Sequence, residues 1–481
     1  MKHAAIALAA WMTATAAAPI LAAESADSAA AAEIVAGRQA LLGEQPAQAL
    51  QHFLAALGRS PGGDDRIAAR VGAGRAALWL EDYALTRRMF QEALPLATTP
   101  ADRDEIRVGL ARSLNGLDRP REAYGIAAEL APRSPAAAVE AARAALALGW
   151  AREAAALLAA PTEPVTAERH GAWLAREYAR LQEESRFRLR RSAELAFAYA
   201  KDNDGLREHG WTLAASFGPR GSGRLAHATY QLGLDLQTLS TDAASARLRE
   251  AFSGVATRIG DSGRLSGRLG LGQHGDWTYP VGALGFDYRP GDDWGMALGA
   301  ETAAVRTIAA LDRRIAVHTF TLGADHRVGS LATLAGSLYR QDFSDGNARH
   351  GAVLRVGSAL ATVPGTRLSV GARLYGRCFI SSREDVVGYF NPQRFREAQL
   401  SAVLAQSLPA QWQVRAVLGL GRQHIDGEGA NTLSAETQLS GRMAGRLRVQ
   451  LKAGYGDSAI ASSTGPGYRR GYIATALTLP W

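Results

Sequence analysis

The sequence predicts a protein of two folded parts, an N-terminal α-helical solenoid and a 16-stranded antiparallel transmembrane β-barrel. Residues 33–185 are rich in Ala, Leu, Glu and Arg and place apolar side chains at the 3.6-residue period of a helix. Residues 186–481 instead alternate apolar and polar side chains in runs of ten to thirteen residues. Because 481 residues are enough for two or more domains, each pattern is assigned a domain of its own.

Residues 1–23 have the features of a secretory signal peptide. A basic start precedes an apolar stretch at 4–18, and the small residues Ala22 and Ala23 suit cleavage. We therefore predict an exported protein whose mature part begins with an acidic leader, rich in Ala and Ser, at 24–32. The alternative is that the first residues form a buried helix.

A spacing of small, aromatic and Pro residues recurs through the helical part. Its first copy has the form A-x3-F-x2-A-x4-P, and the copies recur after 37, 37 and 31 residues. The repeated positions are Ala49, Phe53, Ala56 and Pro61, then Phe90 and Ala93, then Ala123, Ala127 and Pro135, and last Ala154 and Leu158. The pattern resembles the tetratricopeptide repeat, whose period is about 34 residues. This resemblance implies a solenoid of helix pairs with a concave surface for protein partners, and an Ala-rich helical bundle is the alternative.

Two glycines occupy equivalent places in successive copies of the repeat. We expect the helices of a pair to approach closely at Gly37 and Gly74, with the Phe side chains filling the groove between them. Residues 166–185 are predicted to form a last amphipathic helix, which leads into the barrel.

Sixteen strands are predicted from residue 186 onward. On the fifteenth, the odd-numbered positions 447–455 are apolar and the even-numbered positions 446–452 are Arg, Gln or Lys. The segments begin near residues 190, 207, 224, 247, 263, 278, 292, 314, 329, 349, 366, 394, 411, 430, 445 and 469. In a bilayer the apolar rows face lipid and the polar rows line the interior, and closure of the barrel pairs every backbone group. A soluble β-sandwich is the alternative, but it would leave the apolar rows without a covering layer.

The predicted connections alternate in length. Those after even-numbered strands are short turns at 218–221, 260–263, 289–291, 363–365 and 408–410, and the longer ones after odd-numbered strands are at 237–246, 306–313, 380–393 and 457–468. Outer-membrane barrels of Gram-negative bacteria have this asymmetry, with short turns in the periplasm. An even number of strands also leaves both barrel ends in the periplasm, where the helical part is expected.

The chain ends with apolar residues at alternate positions. Ile473, Leu477 and Leu479 precede the terminal Trp481. This ending resembles the terminal-strand signal that is recognised by the machinery that inserts barrels into the outer membrane. The predicted partners therefore include the barrel insertion machinery, through Trp481, and outer-membrane lipid.

Positive charge concentrates in the barrel part. Residues 186–481 contain 35 Lys and Arg against 24 Asp and Glu, whereas the rest of the chain contains 19 against 22. Because the export signal argues against a nucleic-acid partner, we predict a basic interior that attracts polyanions. The predicted pore-lining residues are Arg355, Arg367, Arg373, Glu397, Gln399, Arg415, Glu436, Arg446, Arg448 and Lys452. Such side chains suit hydrogen bonds to sugar hydroxyls and carboxylates, although the interior of any porin is polar.

Enzyme motifs are weak in this sequence. Residues 270–275 match the dinucleotide pattern GxGxxG, but they lie inside a predicted strand rather than between a strand and a helix. Asp261, Ser262 and Gly263 fit a tight turn better than a serine-protease site. The single Cys378 can form neither an intramolecular disulfide nor a zinc cluster. We predict no catalytic residue, metal or cofactor, with a Ser–His pair on the barrel wall as the alternative.

One loop motif carries a more specific resemblance. Residues 388–395, Gly-Tyr-Phe-Asn-Pro-Gln-Arg-Phe, resemble the Gly-Tyr-Phe-Ser-Pro-Gln-x-Tyr segment of the cellulose synthase C family, the outer-membrane exporters of bacterial cellulose. The layout of repeats and barrel is also similar to that of the poly-N-acetylglucosamine export porin, although these relatives usually carry more than four repeats. The motif residues placed at the predicted mouth are Gly388, Tyr389, Phe390, Asn391, Pro392 and Phe395.

The resemblance implies an outer-membrane porin that exports a polysaccharide. It also implies an inner-membrane synthase that pushes the polymer, periplasmic proteins that dock on the repeats, and motif aromatics that stack on sugar rings. The alternative for the motif is a loop that only packs over the mouth. Two other functions stay open: a surface lipoprotein assembly modulator, which also joins a short repeat domain to a barrel, and a phage-receptor-like porin.

Overall fold

The computed structural model describes residues 28–481 apart from 60–61, 162–163, 219–226, 330, 364–365, 367, 444–445, 461, 464, 466 and the side chain of Ala410. These residues form two compact units, of which the first ends at Arg186 and the second begins at Phe187. The predicted signal peptide at 1–23 lies outside the described residues. In the part of the chain that is described, no helix is both long enough and apolar enough to span a membrane.

Ten successive α-helices precede the strands within the described residues, and the last of them crosses the boundary between the units. They are α1 (28–42), α2 (Pro46–Gly58), α3 (Gly63–Trp79), α4 (Tyr83–Ala93), α5 (Pro100–Gly116), α6 (Pro120–Ala127), α7 (Pro135–Ala147), α8 (Ala151–Ala159), α9 (Ala167–His170) and α10 (Ala172–Leu189). Four of them start with Pro, which is tolerated there because the first N–H groups have no partner inside the helix. Consecutive helices from α2 to α8 pack on one another.

The first helix, α1, begins inside the segment predicted as leader. Residues 28–32, assigned to the leader at 24–32, already belong to this helix. The reason is apolar packing, because Ala30 and Ile34 are both buried. At the other end, α10 extends to Leu189, beyond the last residue of the predicted helical part at 33–185.

Each Phe of the repeat packs between glycines from two successive repeats. A Cβ added at Gly37 would lie 2.9 Å from the Phe53 ring, and one at Gly72 would lie 2.4 Å from it. The same arrangement recurs one period later, where Phe90 packs against Gly74 and Gly109. The predicted close approach at Gly37 and Gly74 is therefore confirmed, and the ring leaves no room for a side chain at these positions.

The second unit is a closed antiparallel barrel. Its sixteen strands within the described residues are β1 (Ser192–Asp202), β2 (Arg207–Phe217), β3 (Thr229–Ser240), β4 (Ser245–Ile259), β5 (Gly263–His274), β6 (Trp277–Tyr288), β7 (Trp294–Ala304), β8 (Ala316–Val328), β9 (Ala332–Phe343), β10 (Ala348–Val363), β11 (Leu368–Ser381), β12 (Arg394–Ser407), β13 (Gln413–Ile425), β14 (Glu428–Met443), β15 (Leu447–Gly456) and β16 (Arg470–Pro480). Each strand pairs with its neighbours in sequence, and β1 pairs with β16. Because the sheet closes on itself, it has no edge strand with unpaired backbone groups.

The two faces of the barrel wall differ in chemistry. Large apolar side chains remain exposed on the outer face, with Leu269 75%, Leu420 67% and Leu338 61% accessible. Their neighbours along each strand point inward, because side chains alternate between the faces, and ion pairs such as that of Arg377 with Glu397 lie there. An apolar exterior around a polar interior is the arrangement of a transmembrane β-barrel, so the predicted fold class is confirmed.

The connections follow the predicted asymmetry only in part. Three long loops join the strands at the end opposite to the barrel termini: the β7–β8 loop (305–315), the β11–β12 loop (382–393) and the β15–β16 loop (457–469). The predicted loop at 237–246 is wrong, because only 241–244 leave the sheet. There Thr241 N–H donates to the Ala244 carbonyl at 2.8 Å and closes a tight turn without Gly or Pro.

Two turn predictions have different outcomes. β2 ends at Phe217 and β3 begins at Thr229, and the predicted turn at 218–221 lies, apart from Gly218, outside the described residues. Asp261 and Ser262 do lie in the turn between β4 and β5, Gly263 begins β5, and the GxGxxG match begins inside that strand. A dinucleotide would need a helix after that strand, whereas the next element is β6.

Candidate functional site

The candidate site is the interior of the barrel together with the three long loops that pack into one end of it. The β7–β8 loop contains one short helix, α11 (Ile308–Asp312), which is capped by the Thr307 hydroxyl through the Ala310 N–H at 3.1 Å. From this helix Leu311 packs, fully buried, against inward-facing residues such as Leu239 and Tyr279. The loop is therefore anchored to the inner wall by an apolar contact.

The β11–β12 loop packs against the β7–β8 loop. Val305 and Ile315 of one loop and Tyr389 of the other share a buried cluster with Phe343 of β9. The Thr307 hydroxyl donates a hydrogen bond to the Gly388 carbonyl. Gly388 has a φ of +119° and lies against the backbone of α11, so a side chain there would be strained and crowded.

The β15–β16 loop is held by polar side chains of the inner wall. Arg377 of β11 donates to the Ser458 hydroxyl at 3.2 Å and to the Ala459 carbonyl at 2.9 Å. Gln423 of β13 accepts from the Ala459 N–H at 3.2 Å. All three long loops are thus fixed to side chains of the barrel interior, and they narrow the end at which they lie.

The loop motif packs into this structure instead of forming an open aromatic surface. Tyr389 is 8% exposed and stacks on Phe343 with ring centroids 4.6 Å apart. Phe395 is completely buried and stacks on Phe379 at 4.9 Å, with Phe390 edge-on to it at 6.2 Å. Protein side chains therefore cover Tyr389 and Phe395, whereas Phe390 remains partly exposed, and stacking of these aromatics on sugar rings stays a prediction.

Hydrogen bonds complete the packing of the motif. Asn347 Nδ2 donates to the Tyr389 hydroxyl at 3.0 Å and to Asn391 Oδ1 at 2.8 Å. Burial raises the pKa of Tyr389, so at neutral pH its hydroxyl is protonated and donates to Asp345 at 3.1 Å. Pro392 is buried as well. The motif thus packs against neighbouring strands and loops, as its alternative prediction describes.

Three arginines lie on the inner wall within four successive strands. Arg355 on β10, Arg373 on β11 and Arg415 on β13 face the interior, and Arg373 interacts electrostatically with both of the others. None of the three has a carboxylate within 4.0 Å among the described residues. The Nε of Arg373 is buried without a hydrogen-bond partner in the same part of the chain. We call these residues the arginine triad.

The carboxylates near the triad are already engaged. Glu436 accepts from Lys452 at 2.8 Å and from the Tyr472 hydroxyl at 2.5 Å. Glu397 accepts from Arg377 at 3.1 Å and is only 6% exposed. These ion pairs leave the positive charge of the triad largely uncompensated.

Acidic residues lie on β3 and β4, about half-way round the barrel from the triad in the order of the strands, and arginines pair with them. Glu250 on β4 is 2% exposed and accepts from Arg306 at 3.0 Å and from the Tyr279 hydroxyl at 3.1 Å. Arg268 donates to Asp235 at 3.1 Å. Because Arg306 comes from the β7–β8 loop, this ion pair also fixes that loop to the wall.

Space remains inside the barrel beside these groups. A cavity of about 360 Å³ is lined in part by the small residues Ala198 and Ala476 and by Gln237, Glu250 and Lys452. In the part of the chain that is described, no group of three or more His, Cys, Asp or Glu residues is arranged to hold a metal ion.

The structure shows most of the predicted pore-lining residues on the inner face of the barrel. Those that face the interior from a strand are Arg355, Arg373, Arg415, Glu436, Arg448 and Lys452. Glu397 and Gln399 also point inward but are buried. Arg446 lies in the turn before β15 rather than on the wall, because the strand begins only at Leu447, and Arg367 lies outside the described residues.

Several interior residues were not predicted. Arg377 and Asp235 follow the same alternation as their inward-facing neighbours, so the strand pattern would have found them. No sequence signal points to Arg306, because its position depends on how the β7–β8 loop folds. Arg448 has a further contact that was not expected, since its guanidinium lies 4.9 Å from the Phe187 ring centroid.

Comparison with known proteins supports the fold. The sequence matches no protein-family model and no curated protein sequence. Among solved structures, the chain is similar to a bacterial polysaccharide outer membrane secretin, with 13% identity and a TM-score of 0.52 over 61% of this chain and 99% of that one. CdiB from Acinetobacter baumannii has 11% identity and a TM-score of 0.39, over 60% of both chains. OprB of Pseudomonas putida has 11% identity and a TM-score of 0.34, over 65% of this chain and 98% of that one. The second unit therefore has the fold of outer-membrane β-barrels.

Proposed function

We propose that this protein is an outer-membrane channel through which a polysaccharide leaves the cell, with its helical unit in the periplasm binding proteins of the export machinery. The observation that carries the proposal is a polar barrel interior that arginines on three strands face without carboxylate partners among the described residues. Guanidinium groups form several hydrogen bonds at once to oxygen-rich ligands such as sugars and their acidic groups. The barrel likeness to a polysaccharide secretin is consistent with this function.

The helical unit supports the same proposal. Its helices pack consecutively, with the Phe–Gly contacts recurring at the 37-residue period, which fits a solenoid of the tetratricopeptide type. Such solenoids present extended surfaces to protein partners. An inner-membrane synthase and periplasmic proteins are the partners that we propose.

Removal of the gene tests the function. A strain without this protein is expected to lose polysaccharide from the medium and to regain it when the gene is returned on a plasmid. Secreted polymer would be measured by total sugar analysis after removal of cells. Unchanged polymer together with loss of a lipoprotein from the cell surface would contradict polysaccharide export and favour the lipoprotein translocator.

Substitutions that narrow the interior test whether the polysaccharide passes through this barrel. Ala198→Trp combined with Ala476→Trp places two indoles in the interior cavity and is expected to reduce secretion at an equal amount of assembled barrel. The matched control, Tyr199→Trp with Leu477→Trp, puts the same side chains on the outer face and is expected to secrete normally. Equal secretion by the two variants would contradict a route through this barrel.

A further inference from the structure

We infer that the arginine triad is an anion-binding site, and that the polymer carried by this channel is therefore acidic, with carboxylate, sulfate or phosphate groups along its length. The inference rests on the proposed function and adds the chemical class of the substrate. It depends on where arginine side chains lie inside the barrel and on which of them have no carboxylate partner among the described residues.

The placement of the triad concentrates like charge. Arg355, Arg373 and Arg415 face the interior from β10, β11 and β13, and Arg355 and Arg415 each repel Arg373 electrostatically. Repulsion between like charges on a low-dielectric wall is unfavourable unless an opposite charge joins them. A bound anionic group would offset this repulsion, so the placement of the three arginines is explained if the site binds an anion.

Other charged groups that face the triad do not neutralise it. Glu436 is the carboxylate that interacts with Arg373, and it is shared with Lys452 and Tyr472. By contrast, Asp235 and Glu250 on β3 and β4 are matched by Arg268 and Arg306. The interior thus keeps unmatched cations on one wall, while the anions of the other wall are paired.

The donors of the triad are also available. Arg355 and Arg415 are exposed to the interior, and the buried Nε of Arg373 has no partner among the described residues. Tyr375 lies beside Arg355, with the guanidinium 5.8 Å from its ring centroid, and places an aromatic ring at the same site. Guanidinium donors beside an aromatic ring can bind an acidic sugar through both its charged group and its ring face.

Blocking of ion current by oligosaccharides tests the inference. The purified full-length protein is placed in a planar bilayer at an ionic strength of about 0.1 M, where charges act over about 10 Å. Oligogalacturonate, a sulfated oligosaccharide, a neutral maltooligosaccharide and a chitosan oligosaccharide of equal length are compared. Acidic oligomers are expected to block at concentrations about tenfold or more below those of the neutral and cationic ones. The stronger of the two acidic blockers indicates which acidic group the channel prefers.

Substitution of the triad assigns the effect to these residues. Arg355→Gln, Arg373→Gln and Arg415→Gln together are expected to raise the blocking concentration of the acidic oligomer about tenfold or more. The matched control is Arg247→Gln, Arg249→Gln and Arg396→Gln, which removes three positive charges from outward-facing positions. The acidic oligomer is expected to block this control variant at the same concentration as the wild-type channel.

The outcomes separate the inference from the proposed function. Equal blocking by acidic and neutral oligomers, or equal blocking of the triad and control variants, would overturn the anion site even if gene deletion abolishes secretion. If acidic oligomers block through the triad while deletion leaves secreted polymer unchanged, the anion site stands and polysaccharide export fails.

Discussion

Replacement of Leu311 by Asp is expected to release the β7–β8 loop and to raise the single-channel conductance of the barrel. Leu311 is fully buried against the inner wall, and an unpaired carboxylate in that position costs several kcal/mol. A change of about 4 kcal/mol shifts the ratio of docked to undocked loop roughly a thousandfold. Conductance of the purified protein in planar bilayers measures the result.

The control for this prediction lies on the same short helix. Ala309 is exposed, so Ala309→Asp adds the same charge without burying it and is expected to leave the conductance close to that of the wild type. If Leu311→Asp assembles a barrel with wild-type conductance, the β7–β8 loop does not narrow the channel.

Replacement of Phe53 by Ala is expected to lower the free energy of unfolding of the helical unit by about 3–5 kcal/mol. The ring is 1% exposed and lies between Gly37 and Gly72. Glycines have no side chain that can move into the space, so the cavity stays open after the ring is removed. Urea unfolding of the full-length protein in detergent, followed by the helical circular dichroism signal, measures the change.

Leu54 provides the comparison on the same helix. It is 40% exposed, so Leu54→Ala removes a side chain that is packed on one side only. We expect a loss of about 1 kcal/mol or less. Equal losses for the two variants would mean that the Phe–Gly contact does not carry the stability of this repeat.

The strands could be predicted from the sequence because their pattern is local. Every observed strand begins within five residues of its predicted start, from Ser192 to Arg470. A period of two also assigns each side chain to one face, which is why Arg355, Arg373 and Arg415 were placed inside. The alternation does not fix the first and last residues of a strand. Arg446 was therefore assigned to the wall although it lies one residue before the start of β15.

The loops could not be predicted because their conformation depends on distant residues. Tyr389 reads as an exposed aromatic at a mouth, but its hydroxyl accepts a hydrogen bond from Asn347, 42 positions earlier in the chain. The turn at 241–244 contains neither Gly nor Pro, so no residue in it marks its bounds, and the loop predicted at 237–246 was too long. Arg306 pairs with Glu250 from the β7–β8 loop, and α11 of the same loop packs on the inner wall.

The central claim is that neighbouring residues of one strand face lipid and channel in turn, and spin labels on β9 test it most directly. In a Cys378→Ser background, which removes the single native cysteine, one label is attached at Leu338→Cys and another at Ser337→Cys, and the protein is reconstituted in lipid vesicles. We predict that the Leu338 label relaxes mainly by collision with lipid-dissolved oxygen, and the Ser337 label mainly with a water-soluble nickel complex. Equal responses at both positions, or a protein that stays soluble without detergent, would contradict the claim.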